Sequence, residues 1–206
     1  MYASTTPDTR KPEPPTSAST STLPAKDSSH RTATMEEMQK VYDVNAFGPL
    51  QVTQAFLPLM RKHGLGGRIV LVGSVASWAT APHAAVYCSS KRAAEGIFEG
   101  LRQELAHEGI HVAIVRPGGV STAIGGKVDA DPVKGQSFAK FAELLMKHVG
   151  IPPRNITRPI SHALTAQFPL ATSLGGFDGR FIWLARTILP DRVFDLAMIR
   201  IMLGHW

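Results

Sequence analysis

The chain holds a single cysteine, Cys88, among its 206 residues. No disulfide can form within it, which fits a reducing compartment. It has no apolar run of membrane-spanning length, and its first residues lack the apolar segment of a secretory signal, so a cytoplasmic protein is expected. The net charge is +6, yet Lys and Arg are scattered and form no stripe, which argues against a nucleic-acid partner. Metal-binding patterns are also missing. His107 and His111 are four apart, but Gly109 between them marks a helix end, so surface histidines are expected. Asp129 and Asp131 read as turn residues, and the Asn155-Ile156-Thr157 sequon as accidental. No metal site is expected.

What is present divides sharply. Residues 1–33 are mostly Ser, Thr and Pro with few large apolar side chains, too few to offset the entropy of ordering, so a disordered tail is expected there. From residue 34 the composition is that of a folded domain. Thr34 and Glu37 have capping-box spacing before an apolar stripe, predicting a helix to about Lys62 that Pro49 can bend. "RIVLVGS" (68–74) and "HVAIVR" (111–116) are β-branched runs of the kind buried on both faces of a parallel sheet. A helix is expected over 84–107 between them. Beyond lie a helical patch, "FAKFAELLMKH", a helix over 157–167 and a weak third strand near 170–174. The alternation predicts βαβ units. The apolar C-terminus, interrupted at Pro190-Asp191, reads as a helix pair packed on the core or on a second subunit. Peripheral contact with a membrane surface is the alternative.

Within "WATAPHAAVYCSSKRAAEG" (78–96), Tyr87 and Lys91 stand four apart and share one helical face. A phenol has an ordinary pKa of about 10. A neighbouring ammonium favours the phenolate and makes the phenol a usable proton donor or acceptor near neutral pH. Taken alone, the spacing is common and also fits an exposed pair. Cys88 beside it reads as a small buried thiol. Ser74, however, ends one predicted buried strand, at the sheet edge where open α/β folds place ligands, and a hydroxyl there can hold a carbonyl oxygen. The second strand runs into "RPGGVST". Pro117, Gly118 and Gly119 turn the chain sharply and leave no side chains to block a flat ring. Val120 and Thr122 can then offer an amide and a hydroxyl.

Together, "VYDVNAFGPLQVTQAFLPLM", "GGRIVLVGSVAS", "YCSSK" and "RPGGVST" resemble the short-chain dehydrogenase/reductases over roughly residues 35–176, nearest the hydroxysteroid- and retinol-dehydrogenase-like branch. The resemblance implies an α/β fold: the C-terminal part, residues 34–206, of a Rossmann-like doubly wound domain with about three parallel strands. It also implies a catalytic set of Asn45, Ser74, Tyr87 and Lys91. Tyr87 would pass a proton to or from the substrate oxygen, and Ser74 would hold that oxygen. Lys91 would lower the phenol's pKa and bind the nicotinamide ribose. Asn45 would hold a water linking Lys91 to solvent, in a helix distorted near Pro49. Tyr87 and Lys91, with Pro117, Gly118, Val120 and Thr122, would contact NAD or NADP. The implied reaction is reversible hydride transfer between the nicotinamide and a secondary alcohol or ketone, with a lipophilic substrate.

The family's Gly-rich cofactor turn does not precede Asn45. None of the clusters at 64–67, 118–119, 124–127 and 174–176 has its Gly-x-x-x-Gly-x-Gly spacing. The expectations are a domain truncated on its N-terminal side, an unpaired edge along residues 69–72, and little dehydrogenase activity from this chain as written. Three readings stay open: an active dehydrogenase; a silent family fragment that works through its helical dimer faces, as a homo-oligomer or paired with a full-length relative; or a sequence with an unrecorded upstream half.

Overall fold

A computed structural model describes residues 33–63, 67–82, 84–120 and 151–203. The expected disordered tail, the patch "FAKFAELLMKH", Thr122, Asp129 and Asp131 lie outside the described residues. A three-stranded parallel sheet is built from β1 (Gly67–Val72), β2 (Ile110–Pro117) and β3 (Thr172–Gly175), in the order β1-β2-β3. Register runs from Gly67 opposite Ile110 to Val72 opposite Val115, and Ile114 opposite Thr172 to Pro117 opposite Gly175. β2 is the central strand and is buried as expected, whereas β1 and β3 flank it and are only partly buried; the bounds fall within two residues of those predicted. Among the described residues β1 pairs only with β2, so its outer edge is open.

The first helical stretch departs from expectation in an informative way. Thr34 caps α1 (Met35–Tyr42) in a complete capping box with Glu37. The distortion then falls at Asp43–Phe47, a π-helical turn, before Pro49 rather than at it, and α2 (Gly48–His63) follows. The cause is the Gly48-Pro49 pair. Proline has no N–H to return to the carbonyl four residues back, that of Asn45. The Gly48 N–H instead reaches the Asp43 carbonyl, an i→i+5 bond. A Cβ on Gly48 would lie 3.1 Å from that oxygen, so the wider turn suits glycine.

The long helix α3 (Ala85–Glu104) links β1 to β2 and ends in a short 3₁₀ turn, Ala106–Glu108. Gly109 then takes a left-handed conformation, φ 70°, so the expected helix end between His107 and His111 is real. After β2 come α4 (Arg154–Thr165), β3, α5 (Phe177–Ile188) and α6 (Asp191–Leu203). The C-terminal helix pair breaks at Pro190 as read from the sequence.

Strand alternation sorts the layers. Ile69 and Leu71 of β1, with Ile110, Val112 and Ile114 of β2, pack in one core with Ala46, Leu57, Ala94, Phe98 and Leu105 from the α2–α3 side. The opposite parity of β1 faces α4, where the Arg68 guanidinium donates to the Ala163 carbonyl at 3.1 Å. This is an α/β/α arrangement. It matters for the site because Arg116 holds the next α3-facing position of β2 after Ile114.

Candidate active site

The candidate residues gather at the C-terminal ends of β1 and β2 and on the first turns of α3. Ser74 lies two residues past β1, extended at φ −164° and ψ 153°. Its Oγ accepts from the Ala76 N–H at 3.1 Å, starting the 3₁₀ turn Val75–Ser77. The hydroxyl also lies within hydrogen-bonding reach of the Tyr87 phenol. Tyr87 is partly buried, one turn into α3. The Lys91 Nζ, on the next turn, lies 5.8 Å from the Tyr87 ring centroid.

Burial dominates the electrostatics. It pushes the Tyr87 phenol above its ordinary value; the nearby Ser74 hydroxyl opposes this by hydrogen bonding, and Cys88 adds a small upward push. The direction is opposite to that expected from Lys91 acting alone. Lys91 as a residue is 8% exposed, and burial lowers its pKa while the charge of Glu95 raises it. Lys91 has no ion-pair partner among the described residues. Cys88 is buried, and burial raises its thiol, so it stays a protonated core residue.

Asn45 is buried in the π-turn. Its Nδ2 donates to Ser90 Oγ at 3.1 Å, and Ser90 in turn donates to the Tyr87 carbonyl at 2.7 Å. Asn45 therefore braces the turn of α3 that carries Tyr87. Its Oδ1 is buried with no partner among the described residues, a place for a bridging water.

Pro117 closes β2 and is buried. Val120 forms an isolated parallel bridge with Ile151, whose N–H donates to the Gly119 carbonyl at 2.9 Å. Gly118 has a reason other than the one read from the sequence. The space in front of it belongs to Asp178 of α5, whose carboxylate occupies the position a Cβ would take. The Gly119 N–H donates to Asp178 Oδ2, whereas Oδ1 has no partner among the described residues. Asp178 is only 4% exposed.

Sequence reasoning missed Asp178, and it missed Glu95 and Arg116. Glu95 Oε2 accepts from Arg116 Nε at 2.8 Å, while Oε1 accepts from Ser77 Oγ at 2.6 Å. Ser77 Oγ shares its proton with the Ser74 carbonyl, also at 2.6 Å. Arg92 adds a bond from Nε to the Ser77 carbonyl at 2.9 Å, and the Arg116 guanidinium lies 5.4 Å from the Trp78 ring centroid. The segment presenting Ser74 is thus held from α3 and β2 together. A signal for Glu95 was available: Tyr87, Lys91 and Glu95 are successive i, i+4 positions on one face.

The site thus sets a hydroxyl past one parallel strand and a Tyr–Lys pair on the next helix. A family model described as short chain dehydrogenase matches residues 19–132, more than half of the chain. The chain belongs to the short-chain dehydrogenase family of oxidoreductases. It is 29% identical over 189 residues to mouse (Mus musculus) "Retinol dehydrogenase 5", covering 82% of this chain and 58% of that one. It is also 29% identical to the "NADPH-dependent 3-dehydrocapnine reductase" of Ornithobacterium rhinotracheale, covering 78% and 61%. The fold matches a short chain dehydrogenase from Burkholderia cenocepacia solved in complex with NADP, with a TM-score of 0.62 and 23% identity, over 89% of this chain and 66% of the other. The chain spans about six tenths of the length of the curated relatives it matches.

Proposed function

We propose that this chain carries the substrate and proton-transfer end of an NAD(P)-dependent dehydrogenase acting on a secondary alcohol or ketone, with a lipophilic substrate class. The juxtaposition of Ser74, Tyr87 and Lys91 carries the reading. The residues present fit the nicotinamide end of the cofactor: the Lys91 ammonium has no ion-pair partner among the described residues, and the Gly118–Val120 backbone is partly exposed. Bound NAD or NADP would supply or accept the hydride. Thr122 extends the expected contact set. Ser74 orients the substrate oxygen by turning its hydroxyl proton from the phenol to that oxygen. Tyr87 gives its phenolic proton to that oxygen in reduction and takes it back in oxidation. Lys91 places a positive charge near the phenolate that results, stabilising it in a water-poor setting. Asn45 holds the tyrosine turn through Ser90 and offers a site for the water that returns the proton.

The test is oxidation of NADPH or NADH by the purified chain with lipophilic ketones, beside Tyr87→Phe. The variant should lose about 10²–10⁴-fold in turnover. A wild-type chain that neither turns over nor binds either cofactor would overturn the reading.

One observation favours a second role beside it. Val52, Phe56 and Leu59 of α2 are 59%, 54% and 53% exposed, at helical spacing on one side. This supports pairing with a second copy or a longer relative. Phe56→Glu should shift a dimer to monomer in light scattering; an unchanged mass would remove the reading. The exposed Phe177, Phe181 and Ile188 of α5 likewise support peripheral membrane contact. Among the described residues, no helix is long and apolar enough to cross a membrane.

A further inference from the structure

Glu95 is a buried carboxylate with two cations nearby and contact with only one. Arg116 sits at 9% side-chain exposure and takes Oε2, and Ser77 takes Oε1. Lys91, one turn earlier on the same helix, is left without an ion pair among the described residues. Gly73 helps set this choice. A Cβ there would lie 2.5 Å from Glu95 Oε1, so glycine lets the carboxylate lie against the end of β1, toward Ser77 and Arg116. The buried cluster holds two cations, Lys91 and Arg116, for one buried anion. Glu99 reaches Arg116 only at 3.6 Å from a half-exposed position.

We propose that Arg116 draws Glu95 away from Lys91, so that these two positioning residues, neither of them placed against the reacting groups, set the electrostatic field in which Lys91 works. With the glutamate committed elsewhere, the ammonium stays available to the Tyr87 oxygen and to a ribose hydroxyl. The functional consequence rests on the dehydrogenase reading above; the competition for Glu95 does not.

The other charged groups on neighbouring elements are accounted for. On α3, Arg92 is turned to the carbonyls of Ser77 and Trp78, and Tyr87 and Cys88 are held neutral by burial. Asp43 on the π-turn is exposed and accepts from Gln39. Asp178 is engaged by the Gly119 N–H. On α1, α2 and the turn after α3, Lys40 pairs with Glu36 and Arg61 with Glu108 at the surface, and Glu37 caps Thr34.

The experiment follows the Lys91 side chain by NMR in protein labelled with ¹³C,¹⁵N-lysine, its signal assigned by loss in Lys91→Arg, across a pH titration without cofactor. Glu95→Gln removes the one anion near Lys91 among the described residues and should lower its midpoint. Arg116→Met removes a competing cation, frees the carboxylate toward Lys91, and should raise the midpoint. Each shift should be about one pH unit, in opposite directions. Loss of the Arg116 charge alone also raises the midpoint, so Arg116→Met is repeated in Glu95→Gln: competition predicts a smaller rise there than in the wild type, and equal rises, equal signs or unmoved midpoints overturn the proposal. If Glu95→Gln fails to fold because Arg116 is left unpaired, Arg116→Met still serves as a test. It leaves Glu95 beside a natural partner, and an unmoved or lowered midpoint refutes the idea. Because the titration needs no turnover, its failure leaves the dehydrogenase reading standing, and an inactive chain leaves this inference standing.

Discussion

Two parallel strands end in the same device, and the two copies are completed differently. At the end of β1, the Gly73 N–H continues the ladder to the Val115 carbonyl at 2.8 Å; at the end of β2, the Gly118 N–H does so to the Gly175 carbonyl at 2.9 Å. Each glycine faces a buried carboxylate from a helix, Glu95 of α3 or Asp178 of α5, standing where its Cβ would be. Glu95 is saturated, with Arg116 on one oxygen and Ser77 on the other. Asp178 holds the Gly119 N–H with one oxygen and leaves the other without a partner among the described residues. The first end is a closed brace that fixes Ser74. The second is half-closed, beside the backbone proposed to meet a nicotinamide. The difference shows that glycine at a strand end need not serve a ligand. It can make room for the protein's own charge.

The largest effect should come from opening the saturated end. Glu95→Ala leaves Arg116 buried with only the more distant, half-exposed Glu99 for a partner, so a loss of about 3 kcal/mol is expected, read by urea unfolding with an unchanged m-value. Gly118→Ala comes next. Its new methyl meets three atoms of a short side chain that cannot swing aside, and overpacking of this kind costs about 1–3 kcal/mol. Gly73→Ala should cost less, because only the tip of a longer side chain faces it. If Gly73→Ala proves the worse of the two, the comparison between the ends fails.

Lys91 supplies a pH-dependent test of the excess positive charge at the first end. Burial holds its pKa below 10.5, so between the folded value and 10.5 the folded chain binds fewer protons than the unfolded one. The cost of the buried ammonium is therefore full at neutral pH and disappears as pH rises to the unfolded value. Lys91→Met should raise Tm by about 2–4 °C at neutral pH, with the gain fading toward high pH in thermal melts. A gain that grew with pH would contradict the assignment. The smallest change is expected from Asp178→Asn, which keeps an acceptor for Gly119 and places an amide where the unpartnered oxygen stands. Stability should move by less than about 1 kcal/mol. A larger loss would show that this carboxylate has a charge partner after all.

Much of this was readable in advance, for physical reasons that differ by element. The strand at 110–117 announces itself because a strand buried on both faces has no room for polar side chains, whereas the equally apolar run at 67–72 is buried on one face only. The α1 start is local chemistry, a threonine and a glutamate three apart. Tyr87 and Lys91 meet because helix geometry brings i and i+4 together. The bend before α2 was foreseen but misplaced, since Pro49 acts on the carbonyl of Asn45 and so distorts the turn that precedes it. Arg116 was hidden inside an apolar strand run, and nothing near Asp178 in sequence indicates that it meets Gly119, 59 residues away.

The sequence by itself determined where helices and strands begin, which side chains share a turn, and which residue types stand ready for proton transfer. These depend on backbone geometry and neighbours a few residues apart. Only the tertiary structure decided which cation Glu95 serves, why Gly73 and Gly118 are glycines, and how Asn45 reaches the tyrosine turn through Ser90. Those choices rest on contacts between residues far apart in the chain. In a dry interior a single close partner outweighs local preference, because a buried charge or polar group left alone costs more than most local signals contribute.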